Sequence, residues 1–487
     1  MKQFTVKMKP TVIAASIAAL LFASSAMSQQ DKNQLPEIGT SAVSTLSLDK
    51  EELYGKAMMR SVRATQPIIQ DPVLTEYINT LGNRLLLNAE GVNYQFEFFI
   101  INNQEINAFA FFGGHIGTHS GLITLADTES ELASVLSHEI SHVTQRHLAR
   151  KMEAQSRNAP LTIAGMIGGV LLTLINPTAG FAALSTTIAA GQQAGINYTR
   201  SNEKEADRVG MSVLVDSGFD PNGAPEFFRK MAAKYRYSSK PPAMLLTHPL
   251  PDSRISDARN RAQLYPRRLL PVSLDFELAK ARIKARYEGN TKDNIINIKS
   301  SIKKSDYQLR VAAEYGLAIA YLDDKQFELA EQTIAPLLKA APQNLFFVDA
   351  LTDIYIGQKK YDQVLAMLAN LYLIMPNNQV VTLNYANAAL EAKKYGLATT
   401  LLQDFLILHK ENYLANDLLT QVYAKENKLA QMHESKAEVF GLLGIYSKAI
   451  DELHMAHNKA DKNSLMQKRV KARILQFQEE ENQLKRL

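Results

Sequence analysis

The sequence predicts two folded parts: an α+β domain with a small antiparallel sheet, followed by an all-α superhelix of repeated helix pairs. Three observations predict this fold class. Apolar residues change from helical to strand-like spacing and back between Leu48 and Ala149, a 34-residue period follows beyond Pro271, and 487 residues provide the length for several domains. With 46% hydrophobic residues, 21% charged residues and no cysteine, the composition excludes disordered, collagen-like and disulfide-stapled proteins.

The first 28 residues have the pattern of a secretory signal peptide, which we place at residues 1–28. Three lysines among the first ten residues precede an uncharged apolar run over 11–23, too short to span a bilayer, and small residues follow. We expect cleavage after Ser28, with Ala26 as the alternative site; the other interpretation is an uncleaved anchor helix. Without the three lysines the formal net charge falls from +5 to +2, so that no nucleic-acid partner is expected.

Helices and then strands are predicted at the start of the first domain, which we place at residues 29–270. Helical spacing of apolar residues over 48–88 predicts two helices broken at Asp71-Pro72. Aromatic and β-branched residues over 94–101 and 115–125, bracketed by glycines, predict two strands. Together they predict a small antiparallel sheet packed against helices.

The strongest chemical signal is the motif His138-Glu139-Ile140-Ser141-His142, inside a helix predicted to run from the Asp127/Thr128 cap past Ala149. Residues four apart on a helix share one face, so that both histidines can bind one metal ion. Glu139 is rotated by about 100° from His138. There its carboxylate can take a proton from the attacking water and pass it to the leaving amine. The alternative is a buried histidine pair without a metal.

A hydrolytic zinc site usually has three protein ligands, so that a third ligand is expected outside this motif. His147 is rejected because nine residues from His138 would place it on the opposite face of a continuous helix. The metzincin spacing also fails, since it requires glycine in place of Gln145 and histidine in place of Leu148. A carboxylate within residues 202–207 is then the best candidate.

Between these two motifs lies a stretch of 42 uncharged residues, 158–199, interrupted by Asn176-Pro177. Neither half reaches the roughly 20 apolar residues that a membrane span needs. Three interpretations stay open: a buried helical hairpin, a mobile lid or loop that touches a membrane peripherally, and a membrane span.

A 34-residue period predicts a second domain of helical repeats over residues 271–487. Three columns keep this interval: Phe327, Tyr361, Tyr395; Ala330, Val364, Ala398; and Pro342, Pro376. The pattern resembles the tetratricopeptide repeat, in which helix pairs stack into a superhelix with a concave binding surface. Leu429 occupies the next aromatic position and an offset unit starts near Gly444, so that we expect about four repeats. The alternative is a helical bundle with accidental spacing.

Several motifs of the first domain resemble those of the M48 metallopeptidases. They are the H-E-x-x-H motif, an E-x-x-A-D motif over residues 203–207, the long apolar segment between them, and the segments 107–114 and 247–251. The resemblance implies a zincin-like metalloprotease fold with one Zn²⁺ per chain, held by His138, His142 and Glu203. Glu205 is the second choice for the third ligand. Asp207 lies on the same helix face as Glu203 and would hold a ligating imidazole.

The same resemblance implies groups that act on the substrate. His248 corresponds to a histidine near the metal, which would either stabilise the oxyanion or, as a fourth ligand, hold the enzyme inactive. A loop histidine without such a role is the alternative. The segment His115-Ile116-Gly117-Thr118 corresponds to an edge strand, to which an extended substrate adds by backbone hydrogen bonds. Arg254 either supports the loop of His248 or is a surface charge.

Together with the repeats, the resemblance extends to a periplasmic branch of this family and covers nearly the whole chain after the leader. It implies a periplasmic zinc endopeptidase, peripheral to the outer membrane, that degrades misassembled outer-membrane β-barrel proteins and aids their assembly. The implied partners are unfolded or misassembled barrel proteins, the barrel assembly machinery and a peripherally contacted membrane. The alternative is mainly a chaperone or assembly scaffold whose zinc site is normally closed.

Overall fold

The computed structural model describes residues 46–156, 192–235 and 243–486. The predicted leader, residues 1–28, and residues 158–191 of the uncharged segment lie outside these ranges, so that both interpretations remain predictions. None of the described helices is both long enough and apolar enough to cross a membrane.

Two helices open the described chain, α1 (Leu48–Thr65) and α2 (Pro72–Leu86). Ser47 caps the N-terminus of α1 and Asp71 that of α2, each by accepting a hydrogen bond from the backbone N–H three residues further on. Proline at the first position of α2 costs no hydrogen bond, because the N–H group there has no partner within a helix. The predicted break at Asp71-Pro72 is confirmed.

A three-stranded sheet follows, with β1 (Glu97–Ile101), β2 (Ala108–Phe111) and β3 (His115–His119) in the spatial order β1-β3-β2. β1 runs parallel to β3, and β2 runs antiparallel to it. The sheet is therefore mixed, and the prediction of an antiparallel sheet is wrong. The reason is β2, a strand absent from the prediction, which reverses the chain between β1 and β3 so that these two run in the same direction.

β3 is the central strand of this sheet, and the predicted edge strand is therefore wrong. Four residues of β3 are paired with β1 on one side and with β2 on the other: His115, Ile116, Gly117 and Thr118. Their backbone groups are not open to an added strand. The predicted strand also ends early, because Ser120–Leu125 forms the short helix α3. Among the described strands, β1 and β2 are the edges.

The helix that carries the histidine motif ends earlier than predicted. α4 (Glu129–Thr144) is followed by a left-handed residue, Arg146 (φ 53°), and α5 (His147–Ser156) begins as a separate helix. The Arg146 guanidinium donates to the buried Glu51 carboxylate of α1 at 2.9 and 2.5 Å. This ion pair offsets the cost of the left-handed backbone. The prediction of one continuous helix past Ala149 is wrong.

Four helices complete the first part of the described chain: α6 (Gln192–Asp216), α7 (Gly223–Tyr235), α8 (Ala243–Thr247) and α9 (Asp252–Ala262). α6 and α7 both pack against α4, and α9 packs against α6 and α7. The helices that carry the two sequence motifs, α4 and α6, therefore lie side by side.

From residue 274 onward all described secondary structure is helical. The elements are α10 (Leu274–Arg282), which continues as a π-helical turn (Ile283–Tyr287), α11 (Thr291–Lys304), α12 (Arg310–Asp323), α13 (Phe327–Ala340), α14 (Leu345–Gly357), α15 (Tyr361–Ile374), α16 (Gln379–Glu391), α17 (Tyr395–Leu408), α18 (Tyr413–Lys425), α19 (Leu429–Leu442), α20 (Tyr446–Lys459) and α21 (Leu465–Arg486). This run of helices agrees with the predicted all-α superhelix.

The 34-residue period has a structural counterpart in these helices. The second helices of four successive pairs begin at Phe327, Tyr361, Tyr395 and Leu429. Two residues before each start, the backbone adopts a positive φ, at Lys325, Lys359, Lys393 and Asn427. The same turn is therefore repeated four times, and the phase extends to Leu429, one unit beyond the last aromatic residue of the column.

One apolar core continues from α2 and the sheet into the repeat helices. It includes Leu74 of α2, Phe276 of α10 and Phe347 of α14, each of which is at most 1% exposed. At its rim, the Asn378 side chain donates a hydrogen bond to the Glu76 carboxylate of α2 at 2.9 Å. The repeat helices therefore stabilise the part of the chain that carries the motifs.

Candidate metal centre

Two neighbouring helices bring the sequence motifs together. α4 presents His138 and His142 one turn apart, and α6 presents Glu203 opposite them. The helices approach closely at Gly210, where a Cβ atom would lie only 3.1 Å from the backbone nitrogen of His138 and from the carbonyl oxygen of Ser137. A larger residue at that position would push α6 away from α4 and separate the motifs.

Four side chains form a compact donor cluster: His138, His142, Glu203 and His248 each offer one ligand atom, and these atoms lie within 4.8 Å of one another. The Nε2 atoms of His138 and His142 are 3.0 Å apart, and each is 3.4 Å from a Glu203 oxygen. Tetrahedral zinc with ligand distances of about 2.0–2.1 Å separates its ligand atoms by about 3.3 Å. The first three donors therefore fit a tetrahedral zinc ion.

His248 reaches the cluster from the loop after α8. Its Nδ1 is 3.1 Å from Glu203 Oε1, and its Nε2 is 3.6 Å from Glu139 Oε1. Its ring lies 5.3 Å from that of His138 and 5.1 Å from that of His142, measured between centroids. The structure thus places His248 beside both the donor carboxylate and the candidate general base.

Asp207 and Arg254 contact two of the donors, His138 and Glu203 respectively. Asp207 Oδ1 is 3.1 Å from His138 Nδ1, which leaves Nε2 of that ring free for a metal. The Arg254 guanidinium donates to both Asp207 oxygens at 2.7 Å, lies 2.8 Å from Glu203 and donates to the Pro249 carbonyl at 2.8 Å. This side chain is only 4% exposed, and it connects α6 with the loop that carries His248.

The charges around the donors favour a cation. Burial lowers the pKa of His138, but the carboxylates of Asp207 and Glu203 outweigh burial and raise this pKa to about 10. Burial lowers the pKa of His142 to about 3, although Glu203 acts in the opposite direction. Burial raises the pKa of Glu203, but His248 and His142 bring it well below its usual range. An ionised carboxylate between imidazoles attracts positive charge, which a divalent metal ion supplies.

Glu139 follows His138 on α4 and is 1% exposed. Within the described part of the chain its Oε1 atom has no hydrogen-bond partner, although it is fully buried. An unpartnered buried carboxylate oxygen is costly and calls for a functional explanation. Its position next to the donor cluster fits a group that accepts a proton there.

Comparisons with known proteins agree with this geometry. The sequence model of peptidase family M48 matches residues 72–262. A protein of Vibrio cholerae serotype O1 is 46% identical over 93% of this chain and 94% of its own length. The proteins named beta-barrel assembly-enhancing protease in Yersinia pestis and Escherichia coli strain K12 are 45% and 42% identical, over 91% and 98% of this chain and of their own lengths, respectively. The chain belongs to peptidase family M48.

This M48 metalloprotease has a cleft of about 1020 Å³, including open solvent, beside its donor cluster. Glu139, His142 and Glu203 line the cleft on one side. Phe109 and Phe111 of the edge strand β2 line it on another, and the cleft extends along α5. The strand next to the donors with an open edge is therefore β2, in place of the predicted residues 115–118.

His147 and Glu205 pair with each other outside the donor cluster. His147 Nε2 is 3.1 Å from Glu205 Oε2, and Arg150 donates to the same oxygen at 3.0 Å. The hydrogen bond from His147, with the charge of Arg150, lowers the pKa of Glu205 to about 2. The reason given for rejecting His147 is wrong, because the helix breaks and its Nδ1 lies 3.0 Å from that of His142. The other ring nitrogen of His147, Nε2, is hydrogen-bonded to the Glu205 carboxylate.

Two features of the site could not be assigned from the sequence: the buried position of Arg254 and the strand β2. From the sequence, Arg254 either supports the loop of His248 or is a surface charge. The structure places its guanidinium in the buried network with Asp207 and Glu203. β2 was identified only as part of a motif. Phenylalanine alternates with alanine over Ala108–Phe111, but all four residues are apolar, so that the sequence gives only a weak signal for this strand.

Proposed function

We propose that this chain is a zinc-dependent endopeptidase of the periplasm that degrades misassembled outer-membrane β-barrel proteins and aids their assembly. The observation that carries this proposal is the donor set His138, His142 and Glu203, with the atom separations of a tetrahedral zinc site, next to the buried carboxylate of Glu139. The names of its relatives in Yersinia pestis and Escherichia coli support the substrate class.

The residues of the site have separate roles in this proposal. His138, His142 and Glu203 hold the zinc ion, and Asp207 and Arg254 keep the rings and carboxylate in place. When bound, zinc supplies Lewis-acid chemistry, polarising the scissile carbonyl and acidifying water. The Glu139 carboxylate takes a proton from the attacking water and gives it to the nitrogen of the leaving amine.

The free edge of β2 is the proposed substrate-binding strand. It lies beside Glu139 and His142 in the cleft, and its outer backbone groups are not paired with another described strand. An extended polypeptide can add to such an edge by backbone hydrogen bonds, which tolerate many side chains. Barrel precursors have unpaired strands until their sheet closes, which makes them suitable substrates.

The periplasmic location rests on the signal peptide expected over residues 1–28. In this proposal the partners are unfolded barrel proteins and the barrel assembly machinery, which the repeat helices would hold. A peripheral contact with the outer membrane rests on the uncharged segment 158–199.

Metal removal and return test this function in vitro. We expect the purified chain to hold one zinc ion, and to cleave a denatured outer-membrane β-barrel protein but not the same protein refolded in detergent. Dialysis against a chelator should abolish cleavage, and one equivalent of zinc should restore it. Zinc content by mass spectrometry and gel analysis of the substrate are the measurements. Unchanged cleavage by the metal-free chain would contradict the proposal.

The second candidate function is a chaperone or assembly scaffold whose zinc site is normally closed. One observation favours it: His248 brings a fourth donor within 4.8 Å of the other three. With four protein ligands a tetrahedral zinc ion has no position left for water, as in structural zinc sites.

Replacing His248 with alanine tests whether this residue closes the site. If His248 is the fourth ligand, the variant gains an open position, and we expect its hydrolysis of an unfolded substrate to rise by about tenfold or more. If His248 stabilises the oxyanion, hydrolysis instead falls by about a hundredfold or more. Initial rates at equal zinc content distinguish these two roles, and replacing the exposed His454 with alanine serves as the control.

A further inference from the structure

The cleft contains a lysine that the proposed chemistry does not use. Lys151 lines it together with Glu139, His142 and Glu203, and its side chain is half-buried. It lies on α5 one turn after His147, whose ring is 3.0 Å from that of His142, measured between their Nδ1 atoms. Residues four apart share a helix face, so that Lys151 extends the wall of the cleft that begins at the donors.

Lys151 differs from its neighbouring cations in that no described residue forms a hydrogen bond or an ion pair with its ammonium group. Arg146 pairs with Glu51, and Arg150 pairs with Glu205. Burial lowers the pKa of Lys151, while the negative charge of Glu203 raises it. An unpaired ammonium in a partly desolvated wall destabilises the free enzyme and is stabilised when an anion enters.

Asn202 is a second unpartnered polar group on the same cleft. It is 5% exposed, and its Oδ1 atom is buried without a hydrogen-bond partner in the described part of the chain. It directly precedes the donor Glu203 on α6, opposite α5. Because Oδ1 is an acceptor, it can take an N–H of a bound polypeptide but cannot hold a carboxylate, which leaves Lys151 as the group for an anion.

We propose that Lys151 forms a subsite for a carboxylate of the substrate, beside Asn202, whose Oδ1 atom accepts an N–H of the same polypeptide. That carboxylate is either an aspartate or glutamate side chain near the cleaved bond or the C-terminal carboxylate of the polypeptide. The inference rests on the proposed function only in that this cleft receives a polypeptide. It adds a preference among unfolded chains that backbone pairing with β2 does not provide.

A matched series of fluorogenic peptides tests the subsite. One glutamate is placed in turn at each position within three residues of the cleaved bond, and each peptide has a counterpart with glutamine. Each is made with a free and with an amidated C-terminus, which separates the two sources of carboxylate. The ratio of kcat/KM between the acidic and the neutral peptide is measured for the wild type and for Lys151→Met, Lys151→Arg, Lys151→Glu and Asn202→Ala.

We expect the wild type to prefer the acidic peptide by about tenfold at one position, mainly through a lower KM, as for a hydrogen bond to a charged group. Lys151→Met should reduce this ratio to about one, Lys151→Arg should retain it, and Lys151→Glu should reverse it. Asn202→Ala should lower kcat/KM for the acidic and the neutral peptide alike and leave the ratio unchanged, because its unpartnered Oδ1 atom is an acceptor. Lys292→Met, a control on the exposed face of α11, should leave it unchanged.

Two results would overturn the inference: a wild type without preference at every position, or a preference that Lys151→Met retains. Cleavage of the neutral peptides reports on the endopeptidase function, and the ratio reports on the subsite, so that the two proposals fail separately. Anisotropy of the labelled acidic peptide with Glu139→Gln protein measures binding without turnover, and its Kd should rise by the same factor when Lys151→Met is added.

Discussion

Replacing Glu139 with glutamine is expected to reduce peptide hydrolysis by about a thousandfold while the protein keeps its zinc and its fold. Glutamine has nearly the same size and shape as glutamate, so that the buried position between α4 and the cleft remains filled. It cannot accept a proton, and the attacking water then has no base. Since Glu139 is not among the four donors, metal binding should not change.

The measurement is the initial rate on an unfolded substrate, with zinc content determined on the same sample. Glu328→Gln is the matched control, because Glu328 is exposed in the first turn of α13 and far from the donors in sequence. It should retain the wild-type rate. Full activity of Glu139→Gln with normal zinc content would show that another group is the base.

The same variant separates the two candidate functions in cells. If the chain acts by proteolysis, Glu139→Gln should fail to restore barrel assembly in a strain that lacks the wild type. If it acts mainly as a scaffold with a closed zinc site, Glu139→Gln should restore assembly although it does not cleave. The yield of folded barrel protein in outer-membrane fractions is the measurement.

The two histidine donors could be predicted from the sequence because their geometry is local, whereas the choice of Glu203 came from the resemblance to the M48 motif. His138 and His142 are one turn apart on any helix, and the E-x-x-A-D motif places Glu203 and Asp207 one turn apart on another. Bringing the two helices together then requires only that both have an apolar face. The structure accordingly has His138, His142 and Glu203 in one cluster, with the separations that the ligand atoms of a metal ion have.

The features that were predicted wrongly or missed depend on contacts between residues that are far apart in the sequence. The break after α4 is stabilised by the ion pair between Arg146 and Glu51, which are 95 residues apart. The buried role of Arg254 depends on Asp207, 47 residues away. Neither contact leaves a periodic signal in the sequence, and spacing arguments therefore assumed one straight helix for His147.

The sheet illustrates the same limit for strands. β2 is four residues long, and its burial pattern is nearly continuous, so that it has little of the alternation that identifies a half-buried strand. Without β2, the segment after Gly114 is expected at the edge of the sheet. With β2 in place this segment is central, and Ala108–Phe111 is the edge of the described sheet to which we propose that substrate adds.

The repeat helices are connected to the metalloprotease part by a buried cation. Arg282, the last residue of α10, is 1% exposed and donates to the Asp71 carboxylate at 2.6 Å and to the Tyr315 hydroxyl at 2.9 Å. Its Nη2 atom is 2.7 Å from Asp349 of α14. Burial raises the pKa of Asp71, but Arg282 and Arg286 outweigh burial and lower it. Two buried carboxylates from different parts of the fold, Asp71 and Asp349, therefore share the Arg282 guanidinium.

Arg282→Met should destabilise the protein by about 3–5 kcal/mol, because it removes the cation that pairs with the buried Asp349 and leaves Asp71 with only the more distant Arg286, 3.9 Å away. Methionine retains most of the length of the side chain, so that a cavity contributes little. Urea unfolding followed by circular dichroism measures the change. Arg310→Met is the matched control: Arg310 pairs with Glu314 at 2.8 Å, but its side chain is 68% exposed, and its loss should leave the stability nearly unchanged. Equal stability of both variants would show that the buried cation does not hold the two parts together.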